Sequence, residues 1–276
     1  MEEQNPLDSS FNKRINDLRD HYVTQFDPKE YCKTFYSVID DEVKFFLKSY
    51  HEAFQKDPIL TSRKITQRRV LDFGCGPVPI YAATAAASFT TTVTMAEMVP
   101  LNRDEISKWM NSDKNANDWS DFFTYINFLQ ERSEEETVDV VQQLRNAFQL
   151  IIPCDGAMSN PLSPVSQRYD VVMSTLCLEF ATTSLEDYRV MMGNVINILR
   201  PGGVFLMAGA LGNTSYSIGQ CQYPSVKLEK EDILTAVTGN GMCVKSLHIL
   251  ERQTSEAEKP ADHRAVFFLS AQKPTQ

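Results

Sequence analysis

Apolar residues change their spacing along this chain of 276 residues. From about Phe11 to Lys56 they recur at helical intervals, with Phe11, Ile15 and Leu18 on one face and Val43, Phe46, Leu47 and Tyr50 on another. Between the two, Asp27-Pro28 marks a helix start, because proline is tolerated in a first turn where its missing N–H has no partner to lose. From Arg68 onward, short apolar runs alternate with amphipathic segments. The runs predict strands over 68–73, 92–97, 148–153, 169–175, 203–209, 242–250 and 264–272. The segments between them predict helices over 79–87, 102–111, 134–147, 184–199 and 229–240. Strands that alternate with helices imply parallel βαβ units in a doubly wound sheet. The last two strands are separated only by the loop around Thr254–Asp262, too short for a crossover helix, and should pair as an antiparallel hairpin. The expected fold is therefore α/β: a mostly parallel seven-stranded sheet with a C-terminal hairpin, in a single domain spanning 1–276, with residues 1–60 as a helical segment before it. The stretch 111–136 is polar and acidic, and Glu134-Glu135-Glu136 suits a solvated helix start.

A sheet of this kind binds its ligand at the carboxyl ends of the strands, where the strand order reverses. The first strand ends there in Val70-Leu71-Asp72-Phe73-Gly74-Cys75-Gly76-Pro77, and Gly74-x-Gly76 lets backbone approach a ligand closely. Pro79 stands where the dinucleotide fingerprint needs its third glycine, which counts against a nicotinamide-dependent oxidoreductase. Glu97 ends the second strand 25 positions after Asp72, where an acceptor-only carboxylate can take ribose hydroxyls. Ile152-Pro153-Cys154-Asp155-Gly156 ends the third, and Asp155 can accept an exocyclic amine. The fourth ends in Ser174-Thr175-Leu176-Cys177-Leu178-Glu179, where Glu179 is placed to meet a cationic or amine substrate and Cys177 reads as a buried, inert thiol. Ser184 caps the next helix, and Leu199-Arg200-Pro201-Gly202-Gly203 is a structural turn.

Composition narrows the partners. A net charge of −9 argues against nucleic acid or an anionic membrane surface and favours an uncharged or cationic small ligand. The six cysteines are scattered without a C-x-x-C pair, so neither a metal site nor a disulfide framework is signalled, and reduced cytosolic thiols are expected. No apolar run is long enough to span a membrane, and a soluble cytoplasmic protein is the expectation. His21, His51, His248 and His263 form no ligand or triad pattern and read as structural. The absence of G-x-S-x-G and of a P-loop leaves hydrolysis and phosphoryl transfer without support.

With Asp72-Phe73-Gly74-Cys75-Gly76-Pro77, Glu97, Asp155 and the turn at Leu199–Gly203 in order, the chain resembles a class I, Rossmann-like methyltransferase that uses S-adenosylmethionine. Phe26-Asp27-Pro28-Lys29-Glu30-Tyr31 with Tyr36, Asp118-Trp119-Ser120, and Ser174–Glu179 are similar to the family of nicotinamide, phenylethanolamine and indolethylamine (thioether) N-methyltransferases, over about residues 20–272. That resemblance implies a monomer that methylates the nitrogen of a small amine or N-heterocycle. It makes residues 1–60 a cap over the cofactor, with Tyr31 and Tyr36 closing on its methionine part. Gly74, Gly76 and Tyr81 take the glycine-loop contacts, Glu97 and Asn102 the ribose side, Asp155 and Gly156 the adenine side, and Thr175 a backbone contact beside the methyl. Glu179 becomes the catalytic carboxylate, while Gly209, Tyr216 and Ser225 fall at substrate-binding positions. At Gly209 the nicotinamide and phenylethanolamine enzymes carry an acidic residue. Its loss implies freed volume and an acceptor that is neither nicotinamide nor a catecholamine-type amine. A thioether or selenoether acceptor, or a catalytically inactive member that retains the cofactor pocket, remain the alternatives.

Overall fold

Alternation inside the strands decides which side chains face which layer. The computed structural model describes residues 6–61, 68–88, 91–130, 137–252 and 260–275. Its main sheet contains β1 (Arg68–Phe73), β2 (Thr91–Ala96), β3 (Phe148–Ile152), β4 (Tyr169–Thr175), β5 (Leu199–Leu211), β8 (Cys243–Glu251) and β9 (Ala265–Gln272). Val70, Val171, Met173, Val204, Leu206 and Phe268 point to one core, whereas Leu71, Phe73, Val172, Phe205, Met207 and Phe267 point to the other. Both faces are apolar, so both must be covered by helices. The first core is covered by α3 (Asp41–Lys56), α4 (Ile80–Ser88), α6 (Ser120–Leu129) and α7 (Thr137–Ala147), and the second by α8 (Leu185–Ile196) and α9 (Lys230–Gly239).

The strand order is β3-β2-β1-β4-β5-β9-β8, parallel through β5, with β9 antiparallel between β5 and β8. The chain leaves β1 outward through β2 and β3, then returns to lay β4 on the other side of β1. That reversal opens the crevice at the ends of β1 and β4.

Three elements differ from the sequence expectation. Leu199–Gly203 is part of β5, which pairs with β4 through a register shift, so the glycines form an irregularity at the strand's start rather than a separate turn. The polar stretch 111–136 contains α6, whose Phe122, Phe123 and Ile126 are buried; Glu134–Glu136 lie outside the described residues. A second, two-stranded sheet of β6 (Ser215–Ile218) and β7 (Cys221–Pro224) was not foreseen.

The N-terminal segment folds as α1 (Pro6–Gln25), α2 (Pro28–Phe35) and α3, with Pro100–Met110 forming α5 later in the chain. Asp27 caps α2 by accepting from the N–H groups of Lys29 and Glu30. Leu18, Tyr22 and Phe26 of α1 and the following turn pack with Val99, Tyr216, Ile218 and Tyr223, which closes the N-terminal helices over the crevice.

Candidate functional site

The glycine turn after β1 has two different needs. A Cβ at Gly74 would lie 2.0 Å from the Cys177 sulfur, so the glycine permits the turn to pack against the end of β4; its φ of +69° also disfavours other residues. Gly76, at φ +58°, has nothing within 4 Å of where a Cβ would be, and its backbone borders a cavity. The Gly76 N–H donates to Oε2 of Glu97 at 2.9 Å, tying the turn to the end of β2.

That cavity runs along the carboxyl ends of β1, β2 and β4 and the segment after β3. Its wall includes Tyr31, Tyr36, Gly74, Gly76, Tyr81, Glu97, Asn102, Asp155, Gly156, Thr175 and Tyr216, all singled out from the sequence. Glu179, Gly209 and Ser225 are not in its wall.

Three donors converge on Glu97. Oε1 accepts from the Val99 N–H at 2.8 Å and from Nδ2 of Asn102 at 3.1 Å, while Oε2 takes the Gly76 N–H. Burial raises its pKa, and these three donors oppose the rise. A carboxylate offers about four acceptor positions, so one remains for a ribose hydroxyl, not the two expected from sequence. Asp155 is held more firmly than foreseen: Oδ1 accepts from the Ala157 N–H and Oδ2 from Nη1 of Arg19 at 2.8 Å. Gly156 is demanded by packing, since a Cβ there would lie 2.7 Å from Met191 in α8. Tyr36 and Tyr81 share a hydroxyl contact of 3.2 Å, and Thr175 shares one of 2.7 Å with Tyr50.

Two polar groups near the turn are unsatisfied among the described residues. Both carboxyl oxygens of Asp72 are buried without a hydrogen-bond partner, as is Oδ1 of Asn102. Burial, helped by the nearby charge of Glu97, pushes the Asp72 carboxyl up to about 7. A buried acid pair beside an open glycine turn suits a ligand that carries positive charge and a ribose. S-adenosylmethionine has both, through its sulfonium and ammonium groups, so the residues present fit it.

A cap from the N-terminal segment was expected, but not which of its residues line the cavity or what fastens it. Ile15, Leu18, Arg19, Tyr22 and Phe26 line the cavity from α1 and the turn after it. Two arginines fasten that helix: Arg14 binds Asp187 at 2.8 and 2.6 Å, and Arg19 binds Asp155. Although buried, Asp187 keeps its carboxyl below the usual range because Arg14 and Ser184 donate to it. The apolar stripe of α1 was legible; the identity of its arginines' partners, more than a hundred positions away, was not.

A second chamber adjoins the first. Tyr31, Tyr36, Tyr81, Leu176, Phe180 and Tyr216 belong to both walls, and Phe35, Phe46, Ala210, Ala261 and Val266 extend the second, together with Glu42 and His263. Of the residues expected on the substrate side, Tyr216 is in this wall; its hydroxyl lies 3.0 Å from that of Tyr22. Glu179 stands behind it, buried, with Oε1 accepting from the Ala210 N–H at 2.8 Å; burial pushes its carboxyl up to about 7. The Ser225 hydroxyl donates to the backbone carbonyl of Glu179, so it braces that residue and does not face the chamber. The volume expected at Gly209 is not free. A Cβ there would meet Oε1 of Glu179 at 2.6 Å and the Phe267 ring at 2.8 Å, so these two side chains fill the place.

Among the described residues no group of histidine, cysteine and acidic side chains is arranged to hold a metal ion, and no helix is long and apolar enough to cross a membrane.

Comparison with known proteins agrees with this geometry. A model of the NNMT/PNMT/TEMT family matches residues 15–274. Indolethylamine N-methyltransferase of Oryctolagus cuniculus is 30% identical over 261 residues, covering 92% of this chain and 95% of that enzyme. Nicotinamide N-methyltransferase of Homo sapiens is 28% identical over 262 residues, 92% of this chain and 96% of that enzyme. The fold is shared with 1,6-didemethyltoxoflavin-N1-methyltransferase of Burkholderia thailandensis, solved with S-adenosylhomocysteine, at a TM-score of 0.54 and 13% identity over 95% of this chain and 90% of that one. A family match that spans both chambers and the helices roofing them leaves one assignment: the chain belongs to the NNMT/PNMT/TEMT family of S-adenosylmethionine-dependent N-methyltransferases.

Proposed function

We propose that the protein methylates the nitrogen of a small amine or N-heterocycle, with the cofactor in the chamber at the glycine turn and the acceptor in the aromatic chamber beside it. The observation that carries this is the shared wall of Tyr31, Tyr36, Tyr81, Leu176, Phe180 and Tyr216, which joins a cleft edged by Glu97, Asn102 and Asp155 to a smaller, largely aromatic one. When bound, S-adenosylmethionine supplies a methyl group on a good leaving group. The chain's own work is then to orient and to exclude water. Glu97, Asn102 and Asp155 fix the nucleoside end, Asp72 offsets positive charge behind the turn, and the Tyr31–Tyr36–Tyr81 rings set the approach to the methyl. Holding two reactants in line contributes up to about 7–11 kcal/mol in favourable cases. The N-terminal helices serve as the lid that keeps water out.

Gly209 keeps its place in this reading as a specificity position. With the Glu179 carboxylate against it and facing Ala210, no acidic side chain projects from the end of β5, which disfavours nicotinamide and catecholamine-type acceptors. The net charge of −9 supports a small-molecule partner over nucleic acid or a membrane surface, and six unpaired cysteines support a reducing, cytosolic setting. Titration calorimetry with S-adenosylhomocysteine tests the reading, followed by transfer of labelled methyl to an amine panel. Absence of cofactor binding by the folded protein would refute it.

A further inference from the structure

The proposed acceptor chamber holds an ionisable couple that positioning alone leaves without a task. Glu42 stands in the first turn of α3 and His263 just before β9, 221 positions later, yet Nε2 of His263 lies 2.6 Å from Oε1 of Glu42 and both residues are buried. They line the second chamber and not the first. Every other side chain in that wall is apolar or a tyrosine. Burial holds the phenols of Tyr31, Tyr36, Tyr81 and Tyr216 neutral, Glu179 is screened behind Ala210, and the Arg252 guanidinium after β8 donates to the backbone carbonyls of Ala261 and His263 outside the wall, so no other ionisable group in the wall competes for a proton near neutrality. A carboxylate that faces Nε2 as an acceptor selects the tautomer with the hydrogen on Nε2, which leaves the Nδ1 lone pair for another group. Burying such a couple in an apolar wall is costly, and packing alone would be served as well by two apolar residues.

We propose that His263, held in this tautomer by Glu42, takes the proton that the acceptor must shed, which makes the acceptor a protonated alkylamine or an N–H azole on an apolar body. The proposal rests on the N-methyltransferase reading above. The acceptor's N–H bond breaks, the proton goes to Nδ1 of His263, and the electron pair stays on nitrogen. That pair forms the new N–C bond while the C–S pair remains on sulfur, so a neutral thioether leaves; the methylated nitrogen is cationic when the acceptor enters as an alkylammonium and neutral when it enters as an uncharged N–H azole. The imidazolium beside Glu42 then loses its proton to solvent. A pyridine-type nitrogen or a thioether has a free lone pair and no proton to lose, so the couple gives it no advantage.

Three probes separate these classes: 2-phenylethylamine, quinoline and dimethyl sulfide, assayed for methyl transfer across pH with the full chain, with His263→Asn and with Glu42→Gln. The amine should be preferred. His263→Asn should slow its turnover by about 10²–10⁴-fold and abolish the acid limb of the pH profile, with affinity for S-adenosylhomocysteine unchanged. Glu42→Gln, by removing the carboxylate that orients the imidazole, should displace that limb and slow turnover of the amine. Equal turnover of quinoline or dimethyl sulfide with an unaltered limb in both variants overturns the proposal. So does failure of the wild-type cofactor complex either to turn over or, by calorimetry, to bind the amine. Should His263→Asn lose cofactor affinity or thermal stability, Glu42→Gln decides alone, and an unmoved limb counts against the proposal. If S-adenosylhomocysteine itself does not bind the wild-type protein, it is the underlying reading that falls.

Discussion

Replacing Asp72 by asparagine separates what the buried carboxyl does for the ligand from what it costs the fold. The side chain is 1% exposed, and neither oxygen has a partner among the described residues. Burial and the charge of Glu97 carry its pKa from 3.8 to about 7. Between those values the folded chain keeps a proton that the unfolded chain has lost. Stability therefore falls as pH rises through this window, and the full penalty applies above it. A displacement of about three pH units corresponds to on the order of 4 kcal/mol, an upper bound because relaxation and water penetration soften burial. Asparagine has the same shape and no charge. Ligand-free Asp72→Asn should thus unfold at higher temperature than the parent at pH 8, with the gap closing toward pH 5, when melting is followed by calorimetry or circular dichroism. The same variant should bind the cofactor more weakly by losing a charge behind the turn, and because Asp72 does not line the cavity the loss should stay below the about 1.5–3 kcal/mol of a direct charge-assisted contact. A variant that is less stable than the parent at pH 8, by the same margin as at pH 5, would show that Asp72 is already paired in solution, and the argument from burial would fail.

Other perturbations follow from the same geometry. Glu97→Gln leaves an amide N–H₂ or a single oxygen to face three donors, so S-adenosylhomocysteine affinity measured by titration calorimetry should drop by about 1.5–3 kcal/mol; unchanged affinity would refute the ribose placement. Gly209→Asp should destabilise the protein by about 1–3 kcal/mol through overpacking against Glu179 and Phe267, and should not create nicotinamide methylation; a stable variant active on nicotinamide would refute the packing argument. Arg14→Ala together with Arg19→Ala should free the N-terminal helix, seen as faster proteolysis within residues 6–25 and a higher KM for the cofactor, and the difference from the parent should shrink at high salt because both arginines are partly exposed. Glu179→Gln, at a side chain that lines neither chamber, should leave cofactor affinity and alkylamine turnover alike near the parent values; a selective loss of alkylamine turnover would make Glu179 the proton acceptor in place of His263.

Much of the fold was legible because its signals are local. Strand ends at Phe73 and Thr175 and helix caps at Asp27 and Ser184 were read within a residue or two, since alternation and capping need only near neighbours. The elements that escaped carry mixed signals. Helix α6, with the sequence SDFFTYINFL, is apolar enough to be a core helix but lies in an acidic stretch whose composition masked it. The β6–β7 hairpin consists of four-residue strands, too short for alternation to register, and is secured instead by Tyr216 and Tyr223 packing beneath Tyr22. The irregular start of β5 puts Pro201, Gly202 and Gly203 inside a strand, against the usual reading of such residues as a turn.

The cofactor side and the acceptor side differ in how the chain encodes them. Gly74, Glu97, Asp155 and Thr175 lie at the ends of strands, and strand ends recur at intervals that sequence reveals, so these four proposed cofactor positions could be found one by one, and the structure brings them to one wall. The acceptor chamber has no such rule. Its wall draws on α2, α3, the ends of β4 and β5, and the segment before β9, and its ionisable couple joins residues 221 positions apart. Taken alone, His263 had no neighbour in sequence to make it more than a structural histidine, and Glu42 was one acid among 36 Asp and Glu residues. Gly209 shows the same limit from the other direction: a missing side chain suggests space, but whether space exists depends on Glu179 and Phe267, which tertiary packing alone brings there. On the proposed assignment, the cofactor wall follows largely from topology, at the ends of β1 to β4, whereas the acceptor wall follows from contacts between distant segments. Substitutions that retune the acceptor are therefore expected in α2, α3 and the segment before β9, where they can alter the second chamber without touching the glycine turn.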